Sequence, residues 1–354
     1  MIKLDNKKRV LLGMSGGVDS SVAAILLKEQ GYDVTGVTLH LYDGGCCNLD
    51  SVWDAKMICK NLGMEHITLD YEEYFKNTII GNFIEEYKNC RTPNPCVLCN
   101  KYLKFGIMYE KAKSFGMDYI ATGHYAKIEY SDKYERYVLK KANNVLKDQT
   151  YFLYYIPKEI LKYVIFPLSE YESKDEIRKI AKENNLKVAS KPDSEDVCFI
   201  TNGDYKRFLE KNSDIKSKRG NIVNIKGEKL GEHTGLYKYT IGQRKGLGIS
   251  NKVPLFVTGF NKNKNELIVG EEDKLYKNEM YVKDINLQAI DYIDKPLEVS
   301  VKTRYSLKEE KAKIEMVEGN RIKVEFLNPV PRITPGQSAV FYDNDIVIGG
   351  GIIE

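Results

Sequence analysis

Residues Gly13-Met14-Ser15-Gly16-Gly17-Val18-Asp19-Ser20 follow directly on the apolar run Val10-Leu11-Leu12 and directly precede an apolar-periodic stretch from Ser21 to Gln30. A buried strand, a glycine turn and a helix start, in that order, confine the first part of the chain to a layered α/β architecture. The glycines allow close backbone approach. The amides at the helix start attract anions, and Ser15, Ser20 and Ser21 add hydroxyl donors around a phosphate-sized space. The loop lacks both the lysine of G-x-x-x-x-G-K-[ST] and the spacing of G-x-G-x-x-G, which disfavours the Walker and dinucleotide classes. The bland alternative is a plain glycine turn in an ordinary α/β domain.

The alternation of strand and helix continues to about residue 125. Val34 to Leu39 reads as a strand, and a helix is expected from Ser51, where Asp54 completes a capping-box spacing, to a stop at Gly63. Next come a strand His66 to Leu69, a helix around Asn77 to Lys88, a proline-rich loop, a helix Lys101 to Phe115 with Gly116 as stop, and a strand Tyr119 to Thr122. Such alternation implies a doubly wound parallel sheet. Its ligands lie beyond the carboxyl ends of the strands, where Gly13 to Ser20 and Thr122-Gly123-His124 both fall.

From Ile156 to Lys211 the pattern is mostly helical, with a capping signal at Ser173 and Glu176. After about Lys216 short apolar runs separated by Gly and Asn suggest a small β-rich domain. From about Met280 hairpins are expected around Glu318-Gly319-Asn320 and Asp343-Asn344-Asp345. A length of 354 residues favours two or three domains, and 54 Lys and Arg against 50 acidic residues are compatible with a nucleic-acid partner without demanding one. No stretch approaches the roughly 18 apolar residues of a membrane span, so no membrane partner is expected and a cytoplasmic location is.

In that reducing setting the seven cysteines point to chemistry or metal rather than to structural disulfides. Cys96 and Cys99 lie in Arg91-Thr92-Pro93-Asn94-Pro95-Cys96-Val97-Leu98-Cys99, a loop closing into a helix. A thiolate at Cys99 near that helix N-terminus would have a lowered pKa. C-x-x-C alone fits a redox pair, half of a zinc site or two unrelated thiols, and Cys198 is too distant to be placed by spacing. Cys59, inside an amphipathic helix, reads as a small buried hydrophobe. Cys46, Cys47 and Cys90 have no assigned role.

The loop resembles the SGGxDS loop of ATP pyrophosphatases, which split ATP into AMP and pyrophosphate. Further segments agree in order and spacing with one family, the tRNA-specific 2-thiouridylases. They are Arg91-Thr92-Pro93-Asn94-Pro95, Cys99-Asn100-Lys101, Ala121-Thr122-Gly123-His124-Tyr125-Ala126 and Lys147-Asp148-Gln149-Thr150-Tyr151-Phe152-Leu153, then Asp193-Ser194 with Cys198-Phe199-Ile200. The matches continue through residues 239–248, Lys302-Thr303-Arg304-Tyr305 and Thr334-Pro335-Gly336-Gln337-Ser338. The resemblance implies a doubly wound ATP pyrophosphatase domain with a helical extension over residues 1–215. A β-rich central domain would occupy 216–279 and a C-terminal β-barrel 280–354.

It also implies a reaction: the 2-oxygen of the wobble uridine in the tRNAs for Lys, Glu and Gln is adenylated and then replaced by sulfur. Gly13, Met14, Ser15, Gly16, Gly17, Val18, Asp19, Ser20, Leu39 and Gly123 would bind ATP, with Asp19 positioning Mg²⁺. Cys198 would carry a persulfide, received from a cysteine desulfurase or sulfur relay protein. Cys99 would attack it, leaving a Cys99–Cys198 disulfide. Asn94, Pro95, Cys96, His124, Lys147, Asp148, Gln149, Arg304, Tyr305 and Gln337 match positions that face the tRNA anticodon stem-loop, whose target base must be flipped out for chemistry.

The best-known members carry Asp where this chain has Cys96. With three thiols, Cys96, Cys99 and Cys198 could instead hold a 4Fe-4S cluster that binds hydrosulfide, a scheme that would replace the persulfide route. Outside thiolation, an amide-forming ATP pyrophosphatase ligase would use the first domain alone, and a non-catalytic tRNA- or cluster-binding protein would use the loop only to bind.

Overall fold

The computed structural model of the chain describes residues 7–44, 49–190, 197–200 and 203–354. Cys46, Cys47, Asp193 and Ser194 lie outside the described residues. The chain divides into two units, one of Met1–Ile79, Cys96–Gly203 and Asp345–Val347, the other of Ile80–Pro95, Asp204–Asn344 and Ile348–Glu354.

In the first unit β1 (Arg9–Gly13), β2 (Asp33–His40), β3 (Glu65–Asp70), β4 (Tyr119–Thr122) and a short β7 (Val164–Ile165) form a parallel sheet in the order β3-β2-β1-β4-β7. An antiparallel hairpin, β5 (Lys127–Ser131) and β6 (Arg136–Lys140), follows β4 and was not foreseen from the sequence. Val10, Leu11 and Leu12 are completely buried, as a central parallel strand covered on both faces requires. Helix α1 (Val18–Glu29) buries Val22, Ala23, Ile25, Leu26 and Leu27 in the same core, to which the later helix Lys174–Glu183 adds Ile177 and Ala181. Each fully buried Val, Leu or Ile contributes about 1.5–3 kcal/mol, so this seam outweighs the weak intrinsic stability of helices this short.

Several helices depart from the sequence expectation. Helix α2 (Leu49–Asn61) already includes Ser51, which is buried within its first turn rather than preceding it, with its carbonyl against Gly16. The segment expected at Asn77 is helical from Glu72, through a π-helical turn at Lys76–Ile80. The segment expected at Lys101 begins at Pro95, because proline's fixed φ suits the first helical position. It then widens to a π-helix over Asn100–Ile107 before ending at Ser114. Between Ile156 and Ser173 the chain is not α-helical: a 3₁₀ turn Lys158–Tyr163 leads into β7, whose β-branched residues complete the sheet. The capping box at Ser173 and Glu176 is present in both directions.

The second unit contains two β structures. β8 (Gly220–Asn224), β9 (Lys229–His233), β10 (Phe256–Asn261) and β11 (Glu266–Gly270) make a four-stranded sheet in the order β10-β11-β8-β9. Strands β12 (Tyr276–Leu287), β13 (Leu297–Lys302), β14 (Glu310–Val317), β15 (Arg321–Pro331), β16 (Ser338–Asp343) and β17 (Ile346–Ile353) are ordered β12-β15-β14-β13-β16-β17, and pairing of β12 with β17 closes a six-stranded barrel. The expected hairpin turns hold, with Asn320 and Asn344 in the left-handed region that Asn tolerates.

Candidate active site

The strand order reverses between β1 and β4, so the crevice beyond their carboxyl ends is the topological switch point of the sheet. Gly13, at the end of β1, pairs with Thr122 of β4 on one side and Val37 of β2 on the other. The loop from Met14 is held by main chain and hydroxyls: Met14 N donates to Val37 O (2.8 Å), and Thr38 Oγ1 donates to Met14 O (2.9 Å). Ser15 N donates to Ser20 Oγ (3.2 Å), and both Ser20 Oγ and Ser21 Oγ donate to Gly17 O. Gly17 is the N-cap of α1 and has no side chain to occupy the helix start; Ser15 is exposed at the tip. Gly123 abuts the same helix start from β4: a Cβ there would lie 2.8 Å from Asp19 C and Ser20 N. Leu39 lies half-buried near the end of β2.

Asp19, in the first turn of α1, accepts from Tyr125 Oη (2.8 Å) and Lys174 Nζ (2.6 Å) on the same oxygen, Oδ1. Lys174 opens the helix that the Ser173–Glu176 capping box fixes, so its ammonium is held over this site by a well-anchored backbone. Neither Lys174 nor Tyr125 was singled out as a site residue from the sequence. The capping signal locates the Lys174 backbone but is silent on where its side chain reaches.

Cys96 is half-buried in the Pro95–Cys99 helical turn and Cys99 is buried at its end. Cys198 is half-buried in a tight turn closed by Ile200 N donating to Val197 O (2.9 Å), and the neighbouring Phe199 ring packs edge-on against Phe75. Beside Cys99, the buried Asn100 donates Nδ2 to Phe152 O (2.9 Å), and Lys101 Nζ lies 4.0 Å from the centre of the Tyr155 ring. Among the described residues no group of three or more His, Cys, Asp or Glu is arranged to hold a metal ion, so Cys96, Cys99 and Cys198 do not form a cluster-binding set in this conformation.

His124 Nδ1 is 2.7 Å from Thr122 Oγ1 and its Nε2 3.4 Å from Lys104 Nζ, with the ring between Phe105 and Phe166. Burial, with the Lys104 ammonium second, holds its pKa well below 6.5, so the imidazole is neutral at pH 7. Asp148 is buried and accepts from Thr150 Oγ1 (2.6 Å) and Ala142 N (3.3 Å). Gln149 Oε1 accepts from Tyr125 N (3.0 Å), which ties the 147–151 segment to the end of β4. Lys147 stays half-exposed, beside the exposed Val145 and Leu146.

In the second unit Gln337 Nε2 donates to Thr92 O (2.8 Å) and Pro93 O (3.2 Å), and Thr92 N donates to Pro335 O (2.9 Å). Gln337 thereby clamps the loop that carries Asn94 and Pro95. Arg304 donates Nη2 to Ile241 O (2.9 Å) and to Thr334 Oγ1, while Tyr305 is exposed with Lys302 Nζ 5.3 Å from its ring centre.

Sequence comparison covers the chain end to end. Residues 8–202 match the family described as tRNA methyl transferase HUP domain, 206–271 the tRNA methyl transferase PRC-barrel domain and 277–353 the aminomethyltransferase beta-barrel domain. The tRNA-specific 2-thiouridylase MnmA of Acetivibrio thermocellus is 46% identical over 359 residues, covering 99% of this chain and all of its own. The chain belongs to the MnmA family. MnmA proteins of Clostridioides difficile and Clostridium botulinum are 47% and 48% identical, each covering 98% of both chains. The MnmA relationship therefore spans the parallel-sheet unit, the central sheet and the barrel alike.

Proposed function

We propose that this protein is a tRNA-uridine 2-sulfurtransferase that thiolates the wobble uridine of tRNA at the expense of ATP. The observation that carries the reading is the phosphate loop at the sheet's switch point, with Cys99 and Cys198 in the same unit of a chain aligned throughout with MnmA proteins.

An amide-like oxygen is a poor leaving group. The uridine O2 attacks the α-phosphorus of ATP, the bond from that phosphorus to the bridging oxygen breaks, and pyrophosphate departs with the electron pair. The start of α1 after Gly17 and the Ser15 hydroxyl receive phosphate charge. Mg²⁺ entering with ATP would neutralise phosphate oxygens, and Asp19 is the carboxylate at the loop that fits it. The Cys99 thiolate then attacks Sγ of the Cys198 persulfide; the bond from Sγ to the outer sulfur breaks, a Cys99–Cys198 disulfide forms, and the outer sulfur leaves as hydrosulfide, adds at C2 and displaces AMP. An external thiol restores both cysteines. The persulfide comes from a cysteine desulfurase or a sulfur relay protein.

Purified protein incubated with ATP, tRNA and a persulfide donor should release pyrophosphate only when tRNA is present and yield 2-thiouridine at the wobble position by mass spectrometry. Pyrophosphate release independent of tRNA, with a new amide in a small acceptor, would identify a ligase instead.

A further inference from the structure

The Tyr239–Gly248 segment matches the family pattern, yet the reaction above leaves it without a task. It is a built loop. Gly242 N donates to Val257 O (2.8 Å), Val257 N to Gln243 O (3.0 Å) and Gln243 N to Thr240 O (3.0 Å), while the Gln243 side chain bridges Thr240 N and Lys245 O. Gly246 and Gly248 take left-handed φ values of +77° and +68°, which lets Leu247 between them turn down into the small core of this unit. Arg304 braces the near end through its bond to Ile241 O. What this scaffold presents is Arg244 and Lys245, both exposed, and among the described residues neither pairs with a carboxylate.

The charge of the sequence segment that carries the loop points the same way. Residues 206–271 hold fourteen Lys and Arg against six Asp and Glu, a net of +8 in a chain whose total is +4. A rigid loop offering two adjacent, uncompensated cations from a strongly basic segment suits a run of phosphodiesters.

We propose that the Tyr239–Gly248 loop is a phosphate grip for the backbone of the RNA substrate, with Arg244 and Lys245 as its cations and Arg304 as the residue that positions it. The proposal rests on the functional reading above and assigns that substrate a contact in the second unit.

The test is tRNA affinity across a salt series for wild type, R244E/K245E, R304A and the triple variant, each checked for an unchanged thermal midpoint and ATP affinity. R244E/K245E should bind tRNA at least about tenfold more weakly at low salt, with the slope of log K against log salt shallower by about 1.5, because two phosphate contacts are gone. R304A should weaken binding, and the triple variant should be no weaker than the double, since Arg304 acts through the same loop. An unchanged slope in R244E/K245E overturns the proposal. So does normal tRNA binding with impaired sulfur delivery, which would assign the loop to an acidic protein partner. A wild-type protein that does not bind tRNA overturns the functional reading itself, and the grip with it.

Discussion

Lys174 Nζ lies 2.6 Å from Asp19 Oδ1, although 155 residues separate the two in sequence. The glycine loop carries no cation of its own, and this ion pair brings one to its edge. The side chain of Lys174 is only 13% exposed and that of Asp19 33%, so the pair is partly shielded without being cut off from solvent.

Replacing Lys174 by Met should therefore lower tRNA-dependent pyrophosphate release at least about tenfold, the order expected when one positioned charge is lost from a phosphate site. Folding stability should fall by about 1–2 kcal/mol, as for a charged hydrogen bond that is partly exposed. Urea denaturation and a pyrophosphate assay measure the two effects separately. Full activity in the Met variant would show that the pair serves the fold alone.

Gly123→Ala places a methyl 2.8 Å from the main chain of Asp19 and Ser20, neither of which can yield without moving the helix start. The KM for ATP should rise severalfold, and stability should drop by about 1–3 kcal/mol. Gly259→Ala meets only ordinary contact distances and should leave ATP binding unchanged. Equal behaviour of the two variants would remove Gly123 from the site.

The two cysteines should separate the half-reactions. Cys99→Ser and Cys198→Ser should each abolish thiolation while tRNA-dependent pyrophosphate release continues, because no thiol takes part in adenylation. With a radiolabelled persulfide donor, Cys198→Ser should take up no label and Cys99→Ser should retain it. Cys96→Asp should thiolate normally, since no step uses that thiol; loss of activity there would reopen the cluster route.

His124 supplies a pH signature. Its folded pKa lies well below the ordinary 6.5, so on acidification the unfolded chain takes up the proton first. Stability is complete above about pH 6.5 and is lost as pH falls below it, down to the folded pKa. His66 and His233, also lowered by burial, act in the same direction, whereas His40, raised by its hydrogen bond to Asp43, opposes them. His124→Asn should flatten the fall in stability between pH 7.5 and 5.5, read by denaturant titration. A wild-type stability that rises on acidification over that range would contradict the neutral, half-buried imidazole.

Much of this architecture is local and could be read directly. The apolar run Val10-Leu11-Leu12 before a glycine turn, the Ser173–Glu176 capping box and the Glu318-Gly319-Asn320 hairpin each depend on residues within a few positions of one another. Periodicity and capping operate over that range, so the strand–loop–helix order was legible. The π-helical widening after Cys99 and the early helix start at Pro95 were not, because propensity marks element boundaries weakly.

What the tertiary structure alone decided is the work of individual polar side chains. Sequence matching placed Asp148, Gln337 and Arg304 together as residues facing tRNA. The fold buries Asp148 under Thr150 and Ala142, sets Gln337 to clamp the Thr92–Pro93 backbone and spends Arg304 on Ile241. A buried donor or acceptor must find a partner, and that partner can come from any distance along the chain. The sequence by itself therefore determined the order of strand, glycine turn and helix start, whose signals are local; only the fold determined that Lys174 stands beside Asp19.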